Sequence, residues 1–207
     1  PISPHKSSQR SWYSRRSAIV RRLERVGNYS TAAHGPAEIH TTKDQALHST
    51  PSTQRSAMPP PLLLNDGTEM PQIAYGLYQV PKEDAARCVA DAIKAGYTHF
   101  DGAAFYDNER EAGSSLTEEC WYTTKVWTTD STFEDCVASV KRSRAELGRD
   151  LDLALVHWPV PGKHVDMYRA LVHCKEELKI VKRIGLSNYT QEDYEELEKS
   201  GLVKVCQ

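Results

Sequence analysis

The stretch THFDGAAFYDNE, residues 98–109, begins as an apolar-polar strand and ends in a loop carrying Asp101 and Tyr106. Twenty-four residues beyond Asp101, Lys125 lies in the short aromatic and β-branched run WYTTKVW. His157 follows near the end of a further apolar run, LDLALVHWP. An acid, a phenol, an amine and an imidazole thus each fall at or near the end of a separate predicted strand. Side chains gathered at the strand ends of successive βα units are how a barrel active site is written in sequence.

Outward from this stretch, strand and helix patterns alternate with short connections. Predicted strands occupy residues 73–80, 98–101, 121–127, 151–157, 183–187 and 203–207. Apolar residues at helical spacing predict helices over 82–95, 111–116, 132–147, 165–178 and 191–199. Before the first strand, LLLNDGTEMPQ places Asn65-Asp66-Gly67 between two apolar segments, which predicts a hairpin. The fold expected is α/β with a parallel sheet. No GxGxxG follows any strand, so the Rossmann fingerprint is missing and a β/α barrel fits better. Six strands are two short of a closed barrel.

Composition narrows the classes. The 207 residues are 39% hydrophobic with a net charge of −2, enough for one good core and no overall electrostatic reason to expect nucleic acid or membrane as a partner. No run of eighteen apolar residues suggests a bilayer span. Five scattered cysteines without CxxC spacing read as thiols in a reducing compartment, and no metal site is expected. A metal-dependent hydrolase would need clustered ligands, whereas His99 and Asp101 lie two apart and His157 has no such neighbour.

Residues 1–57 differ in character. The first 27 hold seven Lys or Arg against one acid, Glu24, and are rich in Ser. That composition suits a mitochondrial transit peptide or a non-native extension, followed by a polar linker. Two regions are therefore expected, an extension over 1–57 and a partial barrel over 58–207. The compartment expected is the cytoplasm, or the mitochondrion if the extension is a genuine leader. A start at Pro1 rather than Met reads as a fragment or a processed product.

Five segments in order carry a resemblance: LNDGTEMPQI, the D-G-A-x-x-Y-x-N-E segment, TTKVW, LVHWPVP and IGLSN. Together they resemble the successive blocks of aldo-keto reductases. The resemblance implies a (β/α)8 barrel with a hairpin across its base, binding NADPH at the strand C-terminal ends and passing hydride to a small-molecule carbonyl. It implies Tyr106 as proton donor, Lys125 as the cation that makes the phenol a usable acid, and Asp101 as the anchor of that ammonium. It implies that His157 orients the substrate carbonyl, and that Tyr78 and Trp127 wall the substrate site. Ser187, Asn188 and Gln207 would hold the nicotinamide carboxamide, with Gly76 and Asp101 also on the cofactor side.

Each residue has a plainer reading when taken alone. Asp101 and Lys125 suit a structural ion pair, Tyr106 a half-buried loop tyrosine, His157 a satisfied strand-end histidine, and Asn188 a cap for the next helix. Three departures from the family pattern stand out: a short stretch between Tyr106 and Lys125, a segment at HCKEELKIVKRIGLSN that reads as shortened or scrambled, and no residues for strands seven and eight. These make an incomplete barrel the expected fold. They leave open a non-catalytic scaffold or interaction protein, and self-association through open sheet edges.

Overall fold

A computed structural model describes residues 58–202. Within them lie a two-stranded hairpin, a five-stranded parallel sheet and five α-helices. The hairpin pairs β1 (Leu62–Leu63) with β2 (Glu69–Met70). Its turn works because Gly67 takes φ 82°, and Asp66 Oδ1 accepts the Thr68 N–H at 3.0 Å.

The sheet runs β3 (Tyr75–Gly76), β4 (His99–Asp101), β5 (Trp121–Val126), β6 (Leu151–Val156) and β7 (Val181–Leu186), each strand hydrogen-bonded to the next in chain order. The helices α1 (Lys82–Ala95), α2 (Glu109–Gly113), α3 (Phe133–Leu147), α4 (His164–Glu176) and α5 (Gln191–Lys199) alternate with them. Strand order never reverses, as in a barrel wall and unlike a doubly wound sheet. No described helix is long and apolar enough to cross a membrane.

Alternation along the strands separates two cores. Phe100, Tyr122, Val126, Ala154, Val156 and Ile184 pack toward the helices, against Val89, Val140, Met167 and Leu171 among others. Trp121, Leu153 and Leu155 pack on the other face with Met70 and Leu64 of the hairpin. The hairpin therefore closes the N-terminal end of the strands. Arg183 secures it there, donating to Asp66 at 3.1 Å and Thr68 at 2.6 Å while its guanidinium lies 5.0 Å from the Trp121 ring centre. With that end sealed, the opposite strand ends are where a pocket can form.

The helices start and stop as their sequences dictate. Thr132 caps α3 by accepting the Asp135 N–H, and Thr190 with Asp193 forms a capping box on α5. Gly96 and Gly148 end α1 and α3 in the left-handed conformation.

Three sequence expectations change. The first sheet strand is two residues rather than 73–80, because the chain turns at once: Val80 N–H bonds Leu77 O and Gln79 takes φ 61°. The short stretch after Tyr106 holds a helix at Glu109–Gly113, two residues earlier than expected. It fits because Gly113 lets α2 approach α3 closely; a Cβ there would lie 2.8 Å from Leu147 Cα. The segment expected to be too short after α4 turns through Lys179 at φ 56°, with Ile180 N–H bonding Cys174 O, so β7 begins at Val181 instead of residue 183. The strand expected over 203–207, the Gln207 contact and the extension over 1–57 lie outside the described residues.

Candidate active site

Four expected residues meet at the C-terminal ends of the strands. Asp101 ends β4, Lys125 lies one residue from the end of β5, His157 follows β6 directly, and Tyr106 sits in a single 3₁₀ turn, Ala104–Tyr106, beyond β4. Because β4 and β5 pair in register, with Asp101 opposite Thr123, Asp101 and Lys125 project from the same face.

The Lys125 ammonium, almost wholly buried, has three donors and three acceptors around it. One is the Asp101 carboxylate, one the Gly102 carbonyl at 2.9 Å, and one the Tyr106 phenol oxygen at 3.3 Å. Since Tyr106 accepts from Lys125, its own O–H is left to donate elsewhere. Gly102 must be glycine: a Cβ would fall 1.9 Å from the hydroxyl of the fully buried Tyr122. The missing side chain thus lets the backbone that offers Lys125 its Gly102 carbonyl lie against Tyr122.

The acidities of the two proton-carrying groups are set by their surroundings. Burial first, then the charge of Asp101 and the neighbouring Tyr78, push the Tyr106 phenol up to about 12. The resemblance implied Lys125 as the cation that makes the phenol a usable acid; in the folded chain burial is the largest influence on it. Burial and then the positive charge of Lys125 pull His157 down to about 4, so its imidazole is neutral at pH 7. His157 Nδ1 is buried without a hydrogen-bond partner. An unpartnered acceptor is the less costly choice there, which puts the single ring proton on Nε2.

Aromatic rings frame these groups. Tyr78 packs on Tyr106 at 5.2 Å between centroids, and His157 meets Tyr106 edge-on at 5.8 Å. Trp127 meets His157 edge-on at 4.9 Å and stacks on Phe105 at 3.9 Å. Tyr78 thus lies against the phenol and Trp127 against the imidazole. Phe105, half exposed and stacked on Trp127, is a neighbour of these groups that the sequence reading missed; its place beside Tyr106 was the available signal.

Ser187 and Asn188 follow β7 on the same rim. Asn188 takes φ 61° and donates through Nδ2 to the His157 carbonyl and to Ser187 Oγ, each at 2.9 Å. It is tied to the site; Thr190, not Asn188, caps the next helix. Gly76, paired with Asp101 at the end of β3, faces open space where a Cβ would point.

The description "Aldo/keto reductase family" belongs to the family model that matches residues 67–207. An aldo-keto reductase of Mycolicibacterium smegmatis is 40% identical over 156 residues, which are 70% of this chain and 56% of that protein. The glyoxal reductase of Bacillus subtilis is 38% identical over 149 residues, 68% of this chain and 54% of that protein. Among solved structures, a variant of Gox0644 in complex with NADPH superposes with a TM-score of 0.67 at 33% identity, covering 70% of this chain and 55% of that one. The chain spans about half the length of the curated relatives it matches. Its parallel sheet is consistent with an incomplete (β/α)8 barrel of that kind. The ordered motifs, the strand-end constellation and the family match agree: this chain belongs to the aldo/keto reductase family.

Proposed function

We propose that the chain is an NADPH-dependent oxidoreductase reducing aldehydes and ketones to alcohols, with Tyr106 as proton donor. The observation that carries this reading is the three-way direction of the Lys125 ammonium, which makes the Tyr106 oxygen an acceptor and leaves its proton available beside a neutral His157.

When bound, the nicotinamide cofactor supplies the hydride. The chain's own residues do the rest. His157 donates its Nε2–H to the substrate carbonyl oxygen, orienting and polarising it. Tyr106 delivers its proton to the same oxygen as negative charge develops. A phenol at about 12 remains protonated throughout the physiological range, yet is still a far stronger acid than the alcohol being formed, so the transfer is downhill. Lys125 stabilises the phenolate left behind, and Asp101 holds the ammonium in place. Tyr78 and Trp127, with Phe105, hold the substrate and exclude water from the proton path.

The residues on the rim suit a nicotinamide. Ser187 and Asn188 carry the hydroxyl and amide that would pair with its carboxamide, and Asp101 lies at the same strand ends. Gly76 leaves room above β3 because nothing fills the space where a Cβ would stand. Gln207 would complete the carboxamide contact by resemblance. NADPH rather than NADH is supported by the bound cofactor of the Gox0644 neighbour.

The test is thermal unfolding of the chain with and without saturating NADPH. A ligand that binds only the folded state raises the midpoint, by about 2.7 kcal/mol of added stability at a hundred times its Kd. An upward shift is expected; an unmoved midpoint would contradict the cofactor reading.

A further inference from the structure

The residues that follow Tyr106 are tied into the fold in a way that helix formation does not require. Asn108 occupies the N-cap position of α2, where an Asn side chain ordinarily accepts a backbone N–H. Here it makes no such bond. Its Nδ2 donates to the carbonyls of Leu77 and Val80, each at 3.0 Å, and its Oδ1 is buried with no partner. Forgoing a cap and burying an unpaired acceptor both cost stability. The two carbonyls it holds bracket Tyr78, the residue whose ring packs on Tyr106.

Glu109, the next residue, is only 5% exposed although it opens a helix, where acidic side chains usually face water. Its Oε1 accepts from Thr124 Oγ1 at 2.5 Å, and Ser143 of α3 bonds the same carboxyl. Thr124 directly precedes Lys125 on β5, with its side chain on the helix side of the sheet. A closed circuit results: Tyr106 runs through Asp107 and Asn108 to Glu109, across one hydrogen bond to Thr124, and along one peptide to Lys125.

We propose that Asn108, Glu109 and Thr124 are positioning residues, acting as a clamp behind the sheet that holds the Tyr106 phenol against the Lys125 ammonium. Asn108 fixes the Tyr106 turn to the β3–α1 turn, and Glu109 fixes it to the strand that carries Lys125. The clamp is needed because the Tyr106–Lys125 contact is at the long end of hydrogen-bond range, 3.3 Å, so a small shift of the turn breaks it. The catalytic consequence rests on the reductase reading above; the geometric one does not.

The experiment uses the full chain and two variants, Thr124→Val, which is nearly isosteric, and Asn108→Ala, with near-ultraviolet circular dichroism to show that each is folded. The first readout is the ionisation of Tyr106, followed by NMR of ring-labelled tyrosine and assigned by the resonance lost in Tyr106→Phe. At pH ~10.5 a free phenol is mostly ionised. Tyr106 of both folded variants is expected to ionise over a different pH range from that of the wild type, because the loosened turn changes both its contact with Lys125 and its access to water. Glu109→Gln, which keeps the acceptor for Thr124, is expected to preserve the wild-type state. The second readout is carbonyl reduction, with kcat expected to fall about tenfold or more while KM stays within about twofold. Folded variants whose Tyr106 ionises as in the wild type would overturn the clamp, whatever their activity. A wild-type chain without turnover would instead count against the reductase reading, and the ionisation readout would still decide the clamp.

Discussion

The ammonium of Lys125 lies 3.3 Å from the phenol oxygen of Tyr106, with its remaining donors held by Asp101 and the carbonyl of Gly102. Lys125 cannot turn away to other partners, so its role is directional as well as electrostatic. Lys125→Met should remove the charge next to the incipient phenolate while keeping most of the side-chain volume. We expect kcat to fall by about 10²–10³, the range for losing one preorganised donor to a developing charge. NADPH affinity, read by the unfolding midpoint, should change much less.

His157 makes a pH prediction whose sign follows from its lowered folded-state value of about 4, against about 6.5 when unfolded. Between those values the unfolded state binds the extra proton, so stability is fully present above about pH 6.5 and declines as pH falls toward 4. The total loss is about 3 kcal/mol at most, from 1.36 kcal/mol per pH unit of difference. Unfolding midpoints measured from pH 4 to 7 should fall on acidification, and His157→Gln should flatten that slope. An equally steep slope in the variant would mean that other groups carry it.

Gly102 and Tyr122 should be coupled. Gly102→Ala places a methyl group against the Tyr122 ring and hydroxyl and should cost about 1–3 kcal/mol. The Tyr122 hydroxyl is buried without a partner, so Tyr122→Phe alone should be neutral or stabilise by about 1 kcal/mol. The double variant should recover part of the Gly102→Ala loss. Denaturant unfolding of the four proteins gives the coupling directly.

Gly113 is the corresponding test of the short α2. Its Cβ position lies within 3 Å of Leu147 backbone atoms, so no side-chain rotation can relieve Gly113→Ala. The helices α2 and α3 would have to separate, and we expect a loss of about 1–3 kcal/mol in denaturant unfolding. An unchanged midpoint would mean that the two helices are not in contact as described.

Much of this was legible before any coordinates. Asp101, Lys125 and His157 sit at strand ends because their apolar runs read as strands, and pairing in register brings them together without further information. The extents of α1 and α5 were legible from helical periodicity closed by Gly96 and opened by Thr190. The end of β3 was not, because the left-handed Gln79 carries no glycine or asparagine to announce it. The packing of α2 against α3 was hidden for a related reason: Gly113 serves close approach, which a chain read in one dimension does not show. Asn108 and Glu109 were visible only as part of a motif. Their burial, and the partners that give it meaning, come from residues up to 34 positions away in the chain, such as Ser143. The burial that dominates the acidity of Tyr106 was not legible, since a nearby lysine is easily read from sequence and burial is not.

The most direct test of the account is steady-state NADPH oxidation by the wild-type chain and by Tyr106→Phe, with glyoxal, the substrate named for the Bacillus subtilis relative, as the carbonyl. The account predicts NADPH- and carbonyl-dependent turnover in the wild type, and a fall of about 10²–10⁴ in kcat for the variant, the usual contribution of a general acid. The variant should still show a cooperative unfolding transition that NADPH raises. Equal turnover in the two proteins would contradict the assignment of Tyr106 as the proton donor.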